Sequence, residues 1–196
     1  MRPIIGITMG DASGVGPEII AKALRSDRVY EQSRPLVIGD AKMLERAAEI
    51  AGIPLRVNRV NLPSEGLYEK GTADCIDLDL LPADLPYGAV SAEAGNAAFH
   101  YVKRAVELAT DRRIHAICTA PLNKEALHLG GHRYPGHTEI LAELTGTKDY
   151  SMMLSAPKLK VIHLTTHVGL LKAIETIDPE RTYRVIRLAH DTLRRA

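Results

Sequence analysis

A layered α/β fold with a mixed or mostly parallel sheet is the class this sequence predicts, on three observations. Short β-rich runs alternate with longer segments of helical period along the chain. The first such run leads through a glycine-rich turn into a helix-type segment, the order expected of a strand feeding a crossover. Hydrophobic residues make up 45% of the 196, ample for a core. With one Phe, seven Tyr and no Trp, that core must be built from Leu, Ile, Val and Ala.

Taken in order, Ile4 to Thr8 reads as a buried strand, and a helix opens near Pro17, whose fixed φ suits a first helical position. Leu36 to Gly39 is a second strand, and Ala41 to Ala51 a helix stopped by Gly52. Leu55 to Val60 and Cys75 to Leu78 are further strands, and Asn61 to Ala73, with Pro63, Gly66 and Gly71, is loop. The clearest helix spans Ser91 to Thr110. There Ala94, Ala97, Ala98, Tyr101, Val102, Ala105, Val106 and Ala109 recur at steps of three and four, giving one apolar stripe. Ile114 to Thr119 reads as a strand, Thr138 to Leu144 as a helix ending at Gly146, and Tyr150 to Leu154 and Leu159 to Thr165 as strands. Asp178-Pro179 supplies a cap and first position for a final amphipathic helix. The expected organisation is a first α/β domain over 1–130 and the start of a second over 131–196.

Charge excludes some function classes. Twenty-five Lys and Arg against 24 Asp and Glu leave no field to attract nucleic acid or an anionic membrane, so an anionic ligand needs a local site. Cys75 and Cys118 are too few and too far apart for a disulfide framework or thiolate cluster. No run reaches the roughly 18 to 20 apolar residues that span a bilayer. A soluble cytoplasmic protein is expected.

Four motifs carry chemistry-bearing residues. In Thr8-Met9-Gly10-Asp11-Ala12-Ser13-Gly14-Val15-Gly16-Pro17-Glu18, backbone can approach a ligand closely at Gly10, Gly14 and Gly16. The dinucleotide fingerprint fails, because Ile19 stands where its last glycine is needed, and no Gly-Lys-Ser/Thr follows to make a phosphate loop. A tight structural turn and a ligand-contacting loop both fit. Asp11 would repel phosphate and points to hydroxyl or metal contact. In Thr119 to Glu125, Lys124 lies just beyond a strand, where ligand sites of α/β sheets gather; it suits a carboxylate or phosphate, or is a solvated residue on a helix's first turn. In Tyr134 to Glu139, His137 precedes a helix that Thr138 could cap, beside free backbone donors. In His163 to Gly169, two histidines on one strand would share a face about 13 Å apart. That is too far for one ion, so His167 is the single metal candidate.

Together, Gly10 to Glu18, Ala120-Pro121-Leu122-Asn123-Lys124, Gly136-His137-Thr138-Glu139 and Thr165-Thr166-His167 make the chain resemble the 4-hydroxythreonine-4-phosphate dehydrogenase (PdxA) family. The stretch from Ala120 to Glu139 is most similar to the branch acting on 4-phospho-D-threonate or 4-phospho-D-erythronate. The resemblance implies an isocitrate/isopropylmalate-dehydrogenase-like fold and a homodimer with its site in a cleft near the subunit interface. It also implies substrate binding by His137 and Thr138 and a metal ligand in His167; Lys124 and Asp11 are the candidate catalytic residues, making polar contacts in the cleft. Family chains continue past this point, with further histidine ligands from Asn-Pro-His and Tyr-His-Asp motifs and a substrate-holding Lys, Asn and Arg. The present chain is therefore expected to hold the N-terminal part only.

The implied chemistry is oxidation of a 3-hydroxyl on a small 4-phosphorylated hydroxy acid, with NAD as hydride acceptor and one divalent metal (Zn, Mg, Mn or Co). The product is a β-keto acid that decarboxylates. A catalytically silent protein keeping the fold, and a metal-dependent phosphate-ester hydrolase using His137 and His167, are the alternatives.

Overall fold

The computed structural model describes residues 2–195. Five parallel strands form its sheet: β1 (Ile4–Thr8), β2 (Arg34–Gly39), β3 (Arg56–Val60), β4 (Thr72–Asp77) and β5 (Ala116–Thr119), in the order β3-β4-β2-β1-β5. The register pairs Ile4 with Arg34 and Ile5 with Ala116, so β1 and β2 lie in the middle of the sheet. Parallel strands need crossovers and are buried on both faces. Accordingly Leu36, Val37 and Ile38 of β2 are wholly enclosed. At the edge, β5 leaves Ala116 and Cys118 exposed, while Cys75 on β4 is buried; both cysteines are free. Burial among apolar groups pushes the Cys75 thiol far up, so it is inert.

The crossovers carry α1 (Gly16–Ala23), α2 (Asp27–Gln32), α3 (Ala41–Ile50) and α4 (Ala92–Thr110). Gly52, with φ +63°, ends α3 by adopting the left-handed conformation a stop requires. Ser91 caps α4, its hydroxyl accepting from the Ala94 amide at 3.2 Å. The predicted stripe on α4 faces the core, with Ala94, Ala97, Ala98, Tyr101, Val102, Ala105 and Val106 all buried.

Beyond β5 come α5 (Lys124–Leu129) and α6 (His137–Leu144), then a short antiparallel pair, β6 (Met153–Ser155) and β7 (Lys160–Ile162), then α7 (Leu170–Thr176) and α8 (Pro179–Arg195). The chain divides into two compact units, 1–140 and 141–196. In the second, Asp178 accepts from the Arg181 amide at 2.8 Å, capping α8 as its sequence predicts.

Several expectations are corrected. Strand β4 begins at Thr72 inside the segment read as loop, because Asp74 anchors that loop, accepting from the amides of Leu67 and Tyr68. The predicted strands 150–154 and 159–165 shrink to three residues each. Helices α2 and α7 have no counterpart in the sequence reading; both are short, with few or no buried side chains to leave a periodic signal.

Candidate functional site

The first unit brings two of the four motifs together at the C-terminal ends of neighbouring strands. The Ala120 amide donates to the Thr8 carbonyl at 3.0 Å, and the Asp11 amide to the Pro121 carbonyl at 2.9 Å. Gly10 (φ +70°) makes this possible, since a Cβ there would lie 2.2 Å from the Pro121 oxygen. A Cβ at Gly16 would lie 2.2 Å from the Met9 oxygen. The space beside Gly10 and Gly16 is therefore filled by the protein's own backbone. Of the two alternatives the sequence offers, the tight structural turn fits Gly10 and Gly16; of the three glycines only Gly14 is exposed.

Asp11 is buried and turns back on its own loop, accepting from the Ser13 amide at 2.9 Å. Burial raises its carboxyl above the usual range, and the Ser13 hydrogen bond only partly opposes this. The hydroxyls of Thr8 and Ser13 nearby are buried without a hydrogen-bond partner.

Lys124 opens α5, which Asn123 caps by accepting from the Ala126 amide at 3.1 Å. Helix α5 is locked to α4 at Gly95, where a Cβ would fall 1.9 Å from the Ala126 carbonyl oxygen. Lys124 and the segment leading into His137 line one open groove of about 740 Å³, together with Glu125, His128, Arg133, Tyr134 and Pro135. Two hydrogen bonds hold that segment down: His128 Nε2 meets the Tyr134 carbonyl at 3.0 Å, and His132 Nε2 meets Asn96 Oδ1 at 2.9 Å. The His132 ring also stacks on Phe99, with centroids 3.8 Å apart. Thus His115, His128 and His132 have structural partners, His115 Nδ1 accepting from the Ile4 amide. Sequence reasoning passed over Arg133 and His128 as groove residues; their closeness to Tyr134-Pro135-Gly136 was the available signal.

Helix α6 begins at His137 itself. Thr138 consequently lies in the first turn and is not the cap. His137 Nε2 is buried with no partner, and burial lowers the ring's pKa, favouring the neutral imidazole. A buried ring nitrogen left unpaired at the start of a helix suits a ligand's polar atom.

His167 belongs to the second unit. Strand β7 ends at Ile162, so His163 and His167 do not share a strand, and the expected spacing between them lapses. His167 is exposed and adopts φ +57°, uncommon for a non-glycine residue. It makes no hydrogen bond among the described residues, so its ring nitrogens are open to a ligand, as a transition-metal donor requires.

Among the described residues, one group of three potential ligands converges: Asp40, Asp77 and Asp79, with carboxylate oxygens within 4.8 Å of one another. It is a candidate cation cluster, but its groups already have partners. Tyr101 Oη donates to Asp40 at 2.5 Å and the Leu81 amide at 2.9 Å. Asp77 accepts from the Ala41 amide and Arg59, and Lys42 pairs with Asp79.

The chain is similar to known proteins along nearly its whole length. Residues 31–196 match the family described as pyridoxal phosphate biosynthetic protein PdxA. A D-threonate 4-phosphate dehydrogenase of Cupriavidus necator is 59% identical over 194 residues, covering 99% of this chain and 58% of its own length. The crystal structure of a 4-hydroxythreonine-4-phosphate dehydrogenase from Burkholderia phymatum superposes with TM-score 0.92 at 60% identity, over 98% of this chain and 58% of that one. A Klebsiella pneumoniae protein of the same name gives TM-score 0.93 at 44% identity, over 100% of this chain and 59% of its own. The chain thus spans under two thirds of the length of these relatives, and it belongs to the PdxA family.

Proposed function

We propose that this chain is part of a cytoplasmic, homodimeric, NAD- and metal-dependent dehydrogenase with an isocitrate/isopropylmalate-dehydrogenase-like architecture, acting on 4-phospho-D-threonate or 4-phospho-D-erythronate. The observation carrying this reading is the 59% identity, across 99% of the chain, to a D-threonate 4-phosphate dehydrogenase. The basic groove and the unpaired His137 nitrogen support it from the chain's own chemistry.

His137 and Thr138 bind and orient the substrate. A neutral His137 offers Nε2 as donor or acceptor to a substrate hydroxyl or carboxyl oxygen without adding charge. Lys124 meets an anionic end of the substrate at the groove, with Arg133 on the same lining. Asp11 serves from behind, fixing the loop that packs on the Ala120-Pro121 backbone. His167 is one imidazole donor for a divalent metal, whose other ligands lie outside the groups that converge among the described residues. Bound there, the metal would lower the pKa of the substrate hydroxyl, and NAD would accept the hydride.

The test is a chimaera in which residues 1–196 replace the aligned segment of the Cupriavidus necator enzyme. Its kcat/KM is compared for 4-phospho-D-threonate, 4-phospho-D-erythronate and 4-phosphohydroxy-L-threonine. Preference for either of the first two is expected, and preference for the last would overturn the substrate assignment. Release of inorganic phosphate without NAD would instead identify a hydrolase.

A further inference from the structure

The chain reaches His137 through a segment with little hold of its own. No residue from His132 to Gly136 is fully buried, Arg133 and Pro135 are exposed, and Gly131 leads into it from the left-handed region at φ +92°. Such a stretch needs fastening from outside to present Arg133 to the groove and His137 at the start of α6 in one arrangement. Helix α4 supplies the fastening. Asn96, Phe99 and His100 stand at steps of three and four and share a face beside the buried stripe of that helix. His132 docks on this face. Its Nε2 donates to Asn96 Oδ1 at 2.9 Å, its ring lies 11° from parallel to Phe99 at 3.8 Å, and His100 meets it edge-on at 6.0 Å. The Tyr134 ring lies nearly parallel to the same Phe99 ring, with centroids 5.9 Å apart. The His132 amide donates to the Leu127 carbonyl at 3.0 Å, so the chain enters this dock already tied to α5.

We propose that His132 is a positioning residue: docked on Asn96 and Phe99, it sets the course of the chain from Arg133 to Gly136 and, through it, the place of the His137 ring. Helix α4 is a firm reference for this, because its other face is buried in the core. The stack and the hydrogen bond each bias the segment toward one arrangement by a modest factor, and together by more. Without them the competent arrangement is only a fraction of the population, and substrate binding weakens by that fraction. Substrate that does bind restores the arrangement, so the chemical step is untouched. This role rests on the proposed substrate binding by His137 for its kinetic test, and not for its structural one.

Variants of His132 in the chimaera test the idea. His132→Ala removes both contacts and should raise KM about tenfold while kcat stays within about twofold of the parent. His132→Gln keeps a donor for Asn96 and His132→Phe keeps the stack, so each should recover part of that rise. The pKa of His137, followed by NMR titration of its ring, should move up toward 6.5 in His132→Ala, because the ring loses its buried place. A purely stabilising His132 would lower Tm and leave KM and the His137 pKa as in the parent, and that result overturns the proposal. A fall in kcat at unchanged KM overturns it as well. Should His132→Ala fail to fold, the Gln and Phe variants decide by the same two readouts. A parent that turns over none of the substrates defeats the dehydrogenase reading, and the His137 pKa then decides the positioning role alone.

Discussion

Gly10 and His137 are each tightly constrained by their surroundings in the first unit. Gly10→Ala would force a side chain into left-handed backbone, costing about 1–2 kcal/mol, and drive its Cβ into the Pro121 carbonyl, costing about 1–3 kcal/mol more. A loss near 3 kcal/mol is expected, read in thermal unfolding as roughly 2–4 °C per kcal/mol for a chain of this size. His137 makes a pH prediction. Its native pKa lies below the ordinary 6.5, so as pH falls through 6.5 the unfolded state takes up a proton that the native state resists. Stability therefore falls on the acid side of that value, the loss ending once pH drops below the native pKa. His132, lowered by burial and by nearby His100, adds a loss of the same sign. His137→Gln should remove part of the Tm decline between about pH 7.5 and about pH 5, and an unchanged decline would refute a neutral, half-buried His137. The types of both residues were legible in the sequence. Their reasons were not: Gly10 is required by a carbonyl more than a hundred positions away, and the unpaired state of His137 depends on what surrounds its ring.

Elements were legible where burial is one-sided and periodic. Helix α4 showed its stripe because that is a local property of the chain, while Ser91, read as its first residue, proves to be its cap. Strands β6 and β7 were overdrawn, since β-rich residues such as Leu159, Val161 and Leu154 are exposed there and pairing ends after three residues. That overdrawing misplaced His163 and His167 on one strand. The α4–α5 contact supplies a prediction. Gly95→Ala improves helix propensity by about 1 kcal/mol, yet the added methyl would meet the Ala126 carbonyl carbon at 2.1 Å. Overpacking of that severity, about 1–3 kcal/mol, outweighs the gain. Net destabilisation is expected, together with a raised KM in the chimaera, because α5 carries Lys124 to the groove. A stabilised Gly95→Ala protein would show that α5 yields freely.

Over the whole molecule, the two units differ in how much apolar surface they enclose. In the first, β1, β2, β4 and α4 share a continuous core. In the second, Leu170 and Leu171 are 78% and 79% exposed, Ile174, Ile177 and Ile186 are also open, and α8 buries only Val185. Amide exchange is therefore predicted to be slow in β1, β2 and α4 and fast throughout 141–195 in the isolated chain. Uniform protection would mean that the second unit is covered. No helix among the described residues is long and apolar enough to cross a membrane. The exposed apolar residues of α7 and α8 are better suited to a protein neighbour, in keeping with the proposed homodimer.

The central claim is the proposed NAD-dependent oxidation of a phosphorylated hydroxy acid, with His167 proposed as a metal donor. Its most direct test is reduced-nicotinamide formation by the chimaera from 4-phospho-D-threonate, with and without His167→Ala. The account predicts metal-dependent turnover in the parent and its abolition in the variant. Undiminished turnover in His167→Ala, or a folded, metal-loaded parent that reduces no NAD, would contradict it.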